Sequence, residues 1–316
     1  MINQRMTRGL LLGACLFAAS VTSHAAGLFR AYLSASGNDA NPCSVTAPCR
    51  LLPAALAAVA DGGEIWMLDS ANYNTATVNI TKSVTILAVP GAVGSVVAIG
   101  GPAISSATSS IHIVLRNLVI VPFSDGTGTD GVDALAALTL TLEKTIVGGN
   151  INNGIVGIGA TVRLVDSVIR DNQVDGVKIV GGRLYVLSSR ILGNQEIGVE
   201  VNPNSIGTPT FVVVSDSVIS NNGSGFAIVA FIDGVVGRAS ITRSTFADNV
   251  QLGAGAGDQS VHGADLVLSV GSSAFTGNAI GVQQFGAGAV FETQGNNMLR
   301  QNGTSVLGTP TLVGGV

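Results

Sequence analysis

Charged and aromatic residues are scarce in this chain. Of its 316 residues, 11% are charged and 4% are aromatic, whereas hydrophobic residues make up 47%. Average globular domains carry about a quarter charged residues, so uncharged polar side chains and glycine must cover most of the surface. The 15 basic residues form no cluster and are outnumbered by 19 acidic ones, which argues against nucleic acid as a partner.

A long internal apolar run is also missing, which excludes a polytopic membrane protein. Residues 1–25 instead have the order of an export signal: Arg5 and Arg8, then the apolar stretch Gly9–Ser20, then small residues up to Ala25. The twelve residues of that stretch are too few to cross a bilayer. We therefore predict an export signal that is cleaved after Ala25.

Cysteine is rare, with three copies in the whole chain. Cys15 ends the segment Leu12–Cys15, which resembles the lipobox of bacterial lipoproteins and is the alternative to a plain export signal. Removal of the signal leaves Cys43 and Cys49, and an even count in an exported chain predicts a disulfide. A zinc site is the weaker alternative because no histidine lies nearby. Twelve arginines against three lysines favour a bacterial source, so we expect a secreted, periplasmic or cell-surface protein.

The body of the chain is an internal repeat. Its clearest copies place a large apolar residue three positions before a closing asparagine. They are SVIRDN (167–172), SRILGN (189–194), SVISNN (217–222), STFADN (244–249), SAFTGN (273–278) and NMLRQN (297–302). Successive closing asparagines are 22, 28, 27, 29 and 24 residues apart, and an alternating apolar run precedes each copy.

This pattern predicts a stack of short strands. Strict alternation marks strands with one buried face, and one coil of this length cannot bury that face without neighbours. Stacked coils place identical positions about 4.8 Å apart, so we expect an aliphatic ladder through Ile169, Ile191 and Ile219 and an asparagine ladder at the turn. Ser220 is predicted to point outward. A β-sandwich is the alternative, but it does not explain the recurrence of the same residue types at the same offset.

Two segments carry a family resemblance. The coil SVIRDNQVDGVKI (167–179) is similar to the repeats of right-handed parallel β-helix proteins of the pectate-lyase-like superfamily. The stretch from Tyr32 to Leu68 resembles the entry segment of secreted bacterial members. The resemblance covers about residues 30–310. It implies an all-β, right-handed parallel β-helix of roughly ten coils with a short N-terminal capping helix. It implies no single activity, because the superfamily includes lyases, hydrolases, epimerases and adhesins.

The expected organisation has four segments. They are a signal peptide (1–25), an entry segment with the cysteine loop and capping helix (26–63), the parallel β-helix (64–302) and a C-terminal tail (303–316). The capping helix is predicted over 50–60, with Pro53 in its first turn and Gly62 and Gly63 at its end. The tail shows no helix signal, so a strand or another molecule is expected to cover that end.

Charge is concentrated between Arg163 and Glu200, where ten charged residues lie. Lys178 and Glu200 follow their coil glycines at the same offset and should form a cross-strand ion pair. Asp171 and Asp175 lie in the turn before Lys178. Carboxylates beside a cation can bind calcium, hold an acidic sugar or perform acid–base chemistry. A solvated patch of salt bridges is the alternative.

These coils supply the candidate site. The catalytic candidates are Asp171, Asp175 and Lys178, and the candidates for binding a polysaccharide are Arg170, Tyr185, Arg190 and Glu200. The segment Asn172–Gly176 is similar to the Asn-x-x-Asp-Gly piece of polygalacturonase-type hydrolases. Those enzymes also use consecutive aspartates, which are absent here, and a Gly-His-Gly, for which this chain has only Val-His-Gly around His262. Lyases of the superfamily use an Arg or Lys base beside calcium-binding carboxylates, which Arg170 or Lys178 can mimic.

Three further features are weaker. Asp125, Asp130 and Asp133 lie in a glycine-rich segment and can gather around calcium as a cofactor, although their spacing does not match an EF-hand. A surface loop is the alternative.

The repeat register also places Glu143 beside Asp166 as a carboxylate pair, and it places His112 inward as a core histidine. Plain turn polarity is the alternative for the two carboxylates.

Two functions remain. The first is a non-catalytic solenoid that binds glycan or mediates cell-surface contact, and the missing motifs favour it. The second is a polysaccharide lyase, hydrolase or epimerase that acts on an acidic polysaccharide. The scarcity of aromatic rings, with one tryptophan and three tyrosines, counts against ordinary sugar stacking.

Overall fold

A computed structural model describes residues 27–124, 126–205 and 207–314. The predicted signal segment and Asp125 lie outside this part. The elements in chain order are β1 (Leu28–Leu33), α1 (Leu52–Ala58), β2 (Val59–Met67), β3 (Ala71–Asn72), β4 (Val78–Asn79), β5 (Val84–Ala88), β6 (Gly94–Ala98), β7 (Ile104–Ser106), β8 (His112–Arg116), β9 (Leu118–Pro122), β10 (Val132–Ala134), β11 (Thr139–Glu143), β12 (Ile146–Gly148), β13 (Ile155–Ile158), β14 (Thr161–Val165), β15 (Val168–Arg170), β16 (Val177–Val180), β17 (Arg183–Leu187), β18 (Arg190–Leu192), β19 (Ile197–Asn202), β20 (Thr210–Ser215), β21 (Val218–Ser220), β22 (Ser224–Ala230), β23 (Val236–Thr242), β24 (Thr245–Ala247), β25 (Leu252–Asp258), β26 (Asp265–Gly271), β27 (Ala274–Thr276), β28 (Ile280–Phe285), β29 (Ala289–Thr293), β30 (Met298–Arg300), β31 (Thr304–Leu307) and β32 (Thr311–Leu312).

The described strands form three parallel sheets. Sheet 1 has the order β1-β2-β5-β8-β11-β14-β17-β20-β23-β26-β29-β32, sheet 2 the order β3-β6-β9-β12-β15-β18-β21-β24-β27-β30, and sheet 3 the order β4-β7-β10-β13-β16-β19-β22-β25-β28-β31. From β2 onward the chain visits sheets 1, 2 and 3 in turn and then returns to sheet 1, one strand further along. The predicted parallel β-helix is therefore confirmed, and the sandwich alternative is excluded.

Residues in the left-handed backbone region bend each turn of the helix. The corner between sheets 1 and 2 is made by Asn117, Lys144, Asp166, Ser188, Asp216, Arg243 and Ser272, all with positive φ. A second bend follows the sheet 2 strand, at Gly149, Asp171, Gly193, Asn221, Asp248, Gly277 and Gln301. Glycine and short polar residues tolerate this region best, which explains the polar residues at these boundaries.

The predicted asparagine ladder follows the second bend. The side-chain Nδ2 of each asparagine donates to Oδ1 of the next at 2.8–3.1 Å, through Asn150, Asn172, Asn194, Asn222, Asn249, Asn278 and Asn302. The same Oδ1 also accepts the backbone N–H of the preceding asparagine at 3.0–3.2 Å. The ladder thus satisfies both the amides and the backbone of a buried turn.

A second, hydroxyl ladder was not predicted. It follows the first bend and consists of Thr145, Ser167, Ser189, Ser217, Ser244 and Ser273, all buried. Each hydroxyl oxygen after the first accepts the backbone N–H of the preceding member at 3.1–3.2 Å. Each also donates to the carbonyl two residues earlier at 2.7–3.1 Å. In these turns, side chains of the next turn therefore accept the backbone N–H groups at both bends.

The interior is an apolar stack. Ile169, Ile191 and Ile219 are consecutive in register and fully buried, as predicted. Phe246 and Phe275 continue the same column, with parallel rings 5.0 Å apart. Ser220 is buried, not outward, because the chain leaves the strand alternation as it enters the second bend.

The N-terminal end of the stack is covered. β1 pairs with β2, and the predicted disulfide joins Cys43 to Cys49. The capping helix α1 packs its buried face on the first strands. It ends at Ala58, earlier than predicted, because Gly62 and Gly63 belong to strand β2.

At the other end, the tail adds the exposed strands β31 and β32 to sheets 3 and 1. No helix in the described part of the chain has the length and hydropathy needed to span a membrane.

The ladder can be tested at its middle. We expect Asn194→Ala to lower the free energy of unfolding by about 2 kcal/mol or more, because the backbone N–H and Nδ2 of Asn172 then lose their acceptor. Urea unfolding measures the change. Asn204→Ala, at an exposed position, is the control and should stay within about 0.5 kcal/mol of the parent. If Asn194→Ala lowers the free energy of unfolding no more than Asn204→Ala does, the ladder adds nothing to stability.

Candidate functional site

The predicted site residues lie on three different faces. Tyr185 is on sheet 1, Arg170 and Arg190 are on sheet 2 with Asp171 at the bend that follows, and Lys178 and Glu200 are on sheet 3 with Asp175 in the turn before β16. Arg170 and Asp171 form an ion pair with each other. One ligand on a flat sheet cannot touch all of these residues, so we consider sheets 3 and 1 separately.

On sheet 3, Lys178 and Glu200 are direct neighbours in register, as predicted. The Lys178 Nζ forms an ion pair with Glu200 Oε2 and lies 3.6 Å from Asp175 Oδ2. The Lys178 side chain is 34% exposed, Glu200 16% and Asp175 1%. The three groups form a cluster that solvent reaches mainly through the lysine.

Asp175 is the unusual member of this cluster. Its Oδ1 accepts the backbone N–H of Ile197 at 3.0 Å, whereas its buried Oδ2 has no hydrogen-bond partner. Burial first, and then the Glu200 carboxyl, raise the pKa of Asp175 to about 7. Burial also acts to raise the pKa of Glu200, but its neighbours Asp175 and Lys178 outweigh that effect and lower the value. The cluster therefore holds a carboxyl that exchanges its proton near neutral pH, the property required of a general acid or base.

An open cleft of about 410 Å³ adjoins this cluster. Its lining residues are Gln195, Glu196, Ile197, Gly223, Ser224 and Gln251. Ile197 connects the two features, since its N–H is the donor to Asp175.

A polar column links the cluster to the predicted calcium residues. Asn153 donates its backbone N–H and Nδ2 to Asp130 Oδ1 at 3.0 and 2.9 Å. Its Oδ1 accepts the N–H of Asp175 at 3.3 Å. The turns that precede the sheet 3 strands therefore connect Asp130 and Asp175, one carboxylate from each group that the sequence singled out.

Asp133 stands on β10 in the row that leads through Val156 to Lys178. Burial, with the nearby Asp130 charge, raises the pKa of Asp133 to about 7. In the described part of the chain, no three metal-ligating side chains form a group. Asp125 lies outside that part, so calcium at Asp125, Asp130 and Asp133 stays a prediction.

Sheet 1 carries a patch of which the sequence analysis singled out only Tyr185 as a binding candidate. The Arg163 guanidinium lies 5.0 Å from the ring centroid of Tyr185, and that of Arg183 lies 5.5 Å from the ring of Phe211. Among the described residues, neither arginine forms an ion pair, whereas the nearby Arg238 is paired with Asp265 at 2.5 Å. We call Arg163, Arg183, Tyr185 and Phe211 the arginine–aromatic patch.

A signal for this patch exists in the sequence. Arg163 and Tyr185 are each the third residue of an alternating run, TVRLV and RLYVL, and the two are neighbours in register. Phe211 aligns with Arg183 in the same way once the longer spacing of 28 residues between these two turns is allowed for.

Two weaker predictions about the register were wrong. Glu143 lies opposite Val165 and pairs with Arg116, with Nε and Oε2 2.6 Å apart, while Lys144 occupies the corner column that contains Asp166. The early repeats match the sequence pattern less closely, so the predicted alignment of Glu143 with Asp166 was off by one residue. His112 begins strand β8 and is exposed, so it is not a core histidine.

Comparisons with known proteins support the fold. Neither a scan of protein-family models nor a search of curated proteins gives a match. Among solved structures, pectate lyase Pel9A is similar with a TM-score of 0.55 and 21% identity, over 90% of this chain and 77% of that one. The A-module of mannuronan C-5 epimerase AlgE4 from Azotobacter vinelandii is similar with a TM-score of 0.52 and 15% identity, over 80% of this chain and 90% of that one. At these identities the likeness establishes the fold: the chain is a right-handed parallel β-helix of the kind found in these two enzymes.

Proposed function

We propose that the protein is an exported, non-catalytic β-helix that binds an acidic polysaccharide on the outer face of sheet 1. The observation that carries the proposal is the arginine–aromatic patch, in which two guanidinium groups lie over rings and have no carboxylate partner among the described residues. Such groups remain free to pair with an anion. A guanidinium binds a carboxylate through two parallel hydrogen bonds, and a ring offers an apolar surface beside it.

The geometry of sheet 1 suits a chain-like ligand. Its strands are spaced about 4.8 Å apart, close to the length of one sugar residue, so a polymer along the stack meets a new side chain at each unit. A depression of about 240 Å³ continues the patch, between Phe211 and Val267. The two structural neighbours support a glycan as ligand, since their names identify a pectate lyase and a mannuronan epimerase.

Export rests on two features. Residues 1–25 have the order of a signal peptide. The disulfide between Cys43 and Cys49 suits an oxidising compartment outside the cytoplasm.

An acid–base enzyme is the second candidate, because Asp175 titrates near neutrality beside Lys178 and Glu200. In that case Asp175 and Glu200 move the proton, and the more exposed Lys178 faces an acidic polysaccharide. The products would be those of a lyase, a hydrolase or an epimerase.

Removing the patch should weaken polymer binding. We expect the double variant Arg163→Ala, Arg183→Ala to bind polygalacturonate or alginate at least tenfold more weakly, since each charge-assisted hydrogen bond contributes about 1.5–3 kcal/mol. Calorimetric titration of the purified protein measures this. The matched control is Arg300→Ala, an exposed arginine on sheet 2. If binding falls equally in the control, or if the parent binds neutral polymers as well as acidic ones, the proposal fails.

The raised pKa of Asp175 makes a prediction about stability. Its carboxyl is protonated in the folded protein up to about pH 7 but ionises near 4 when unfolded. The stability from this group is therefore full below pH 4 and is lost as the pH rises toward 7. Relative to Asp175→Asn, the parent should lose roughly 1–3 kcal/mol between pH 4 and pH 8. Urea midpoints measured across this range test it.

Asp171→Asn, at an exposed carboxylate, is the control for that experiment and should follow the parent at every pH. Parallel curves for the parent and Asp175→Asn would contradict the raised pKa.

Product analysis separates the two candidate functions. Incubation with uronic-acid polymers at pH 7 should yield no unsaturated products, no new reducing ends and no change in the ratio of uronic acid epimers if the protein only binds. If products do form, and both Asp175→Asn and Lys178→Gln lower the rate at least a hundredfold, the enzyme candidate replaces the binding one. Product formation that both variants leave unchanged would exclude this cluster from the reaction.

A further inference from the structure

A separate cleft of about 450 Å³ lies at the corner between sheets 1 and 2, near the N-terminal end. Its lining residues are Trp66, Leu87, Ala88, Pro90, Gly91, Arg116, Asn117 and Lys144. They come from strands β2, β5 and β8 and from the corners that follow β5, β8 and β11. Pockets of this volume accommodate small molecules. The cleft shares no residue with the arginine–aromatic patch.

Trp66, the one tryptophan of the chain, is held in a fixed orientation. The Arg30 guanidinium lies 3.9 Å from its ring centroid, and its Nε1 donates to Glu64 Oε2 at 3.0 Å. The Tyr32 ring meets it edge-on at 6.3 Å. A ring held in this way loses little freedom when a ligand arrives, and preorganisation of this kind favours binding.

The opposite wall is also rigid. The Ala92 N–H donates to Val89 O at 3.0 Å and closes a tight turn, in which Pro90 is second and Gly91, with φ of 89°, is third. Proline and glycine in these positions are typical of a type II turn. Asn117 Nδ2 donates to Ala88 O at 3.1 Å and ties the next corner to this wall.

The rim of the cleft is positively charged, although the whole protein has a net charge of −4. Arg116 is paired with Glu143 at 2.6 Å. Lys144 is exposed and forms no ion pair in the part of the chain that the structure describes. Two cations against one carboxylate leave an excess positive charge beside an apolar wall.

We propose that this cleft binds a single sugar carboxylate, such as one uronic acid residue. The apolar face of the pyranose packs on Trp66, Leu87 and Pro90, as amphipathic ligands do on aromatic walls. The carboxylate pairs with Lys144. Glu143 lies beside the cleft as the partner of Arg116 through Oε2, and its other carboxylate oxygen can accept a hydrogen bond from a sugar hydroxyl, which distinguishes a sugar acid from an aromatic acid. The site is independent of the proposed polymer surface on sheet 1.

Tryptophan fluorescence gives a direct test, because Trp66 is the only reporter in the protein. Titration of the full chain with galacturonate or glucuronate should produce a saturable change. Galactose, glucose and acetate should bind at least tenfold more weakly, since each lacks either the charge or the ring. Benzoate should also be weaker. Calorimetry on the same samples covers a ligand that binds without altering the emission.

Variants assign the effect to the cleft. Lys144→Gln should weaken sugar-acid binding about tenfold or more, and Leu87→Glu should abolish it by placing a carboxylate against the ligand. Arg300→Gln is the control and should bind as the parent does. Thermal unfolding of each variant checks that it folds.

Three outcomes would overturn the site. They are no binding in either measurement, equal binding of galactose and galacturonate, and a Lys144→Gln variant that binds as the parent does. The double variant Arg163→Ala, Arg183→Ala distinguishes this site from the polymer surface. It should retain sugar-acid binding in the cleft even if polymer binding is lost or was never present.

Discussion

The hydrogen bond that a side chain of one turn accepts from the backbone of the equivalent residue in the preceding turn is the constraint on which this structure depends. Each turn bends twice through left-handed residues, and each bend directs a backbone N–H into the stack, where no water can satisfy it. In one turn, the backbone N–H groups of Asn172 and Ser167 donate to the side chains of Asn194 and Ser189 in the next turn. Because every donor needs an acceptor about one strand spacing away, the same residue type must recur at the same offset.

That constraint also limits the backbone between the ladders. The glycine after each ladder asparagine faces the next turn so closely that a Cβ on Gly176 would lie 2.6 Å from the carbonyl oxygen of Gly198. Side chains are excluded there, and the interior positions accept only residues that stack. Only the side chains at outward positions are free to vary. Functional side chains therefore lie in rows across neighbouring strands. Lys178 with Glu200 and Arg163 with Tyr185 are both pairs of this kind.

The same physics explains what the sequence could and could not predict. From Ser167 onward the repeat is strict, so the asparagine and aliphatic ladders and the Lys178–Glu200 pair followed from simple alignment. Before Ser167 the repeat copies are looser and give no fixed point for alignment, so the predicted position of Glu143 was wrong by one residue. Alternation separates inward from outward positions, but it does not say which of three sheets a strand joins. The candidate residues from Arg170 to Glu200 therefore looked like one site although they occupy several faces.

The Asp175 cluster and the arginine–aromatic patch differ in how far solvent, and therefore a ligand, can reach their side chains. Asp175 has the proton chemistry of a catalyst, but its side chain is 1% exposed and it also serves as an acceptor within a polar column. A buried carboxyl with a raised pKa lowers stability at neutral pH, a cost that folds tolerate at functional and at structural positions alike. Arg183 and Phe211 are exposed, and their mutual contact leaves the guanidinium free to bind an anion. Of the Asp175 cluster, Lys178 is the most exposed member at 34%, so a ligand reaches the cluster mainly at the lysine rather than at the carboxyl. The proposed binding function therefore requires fewer assumptions than the catalytic one.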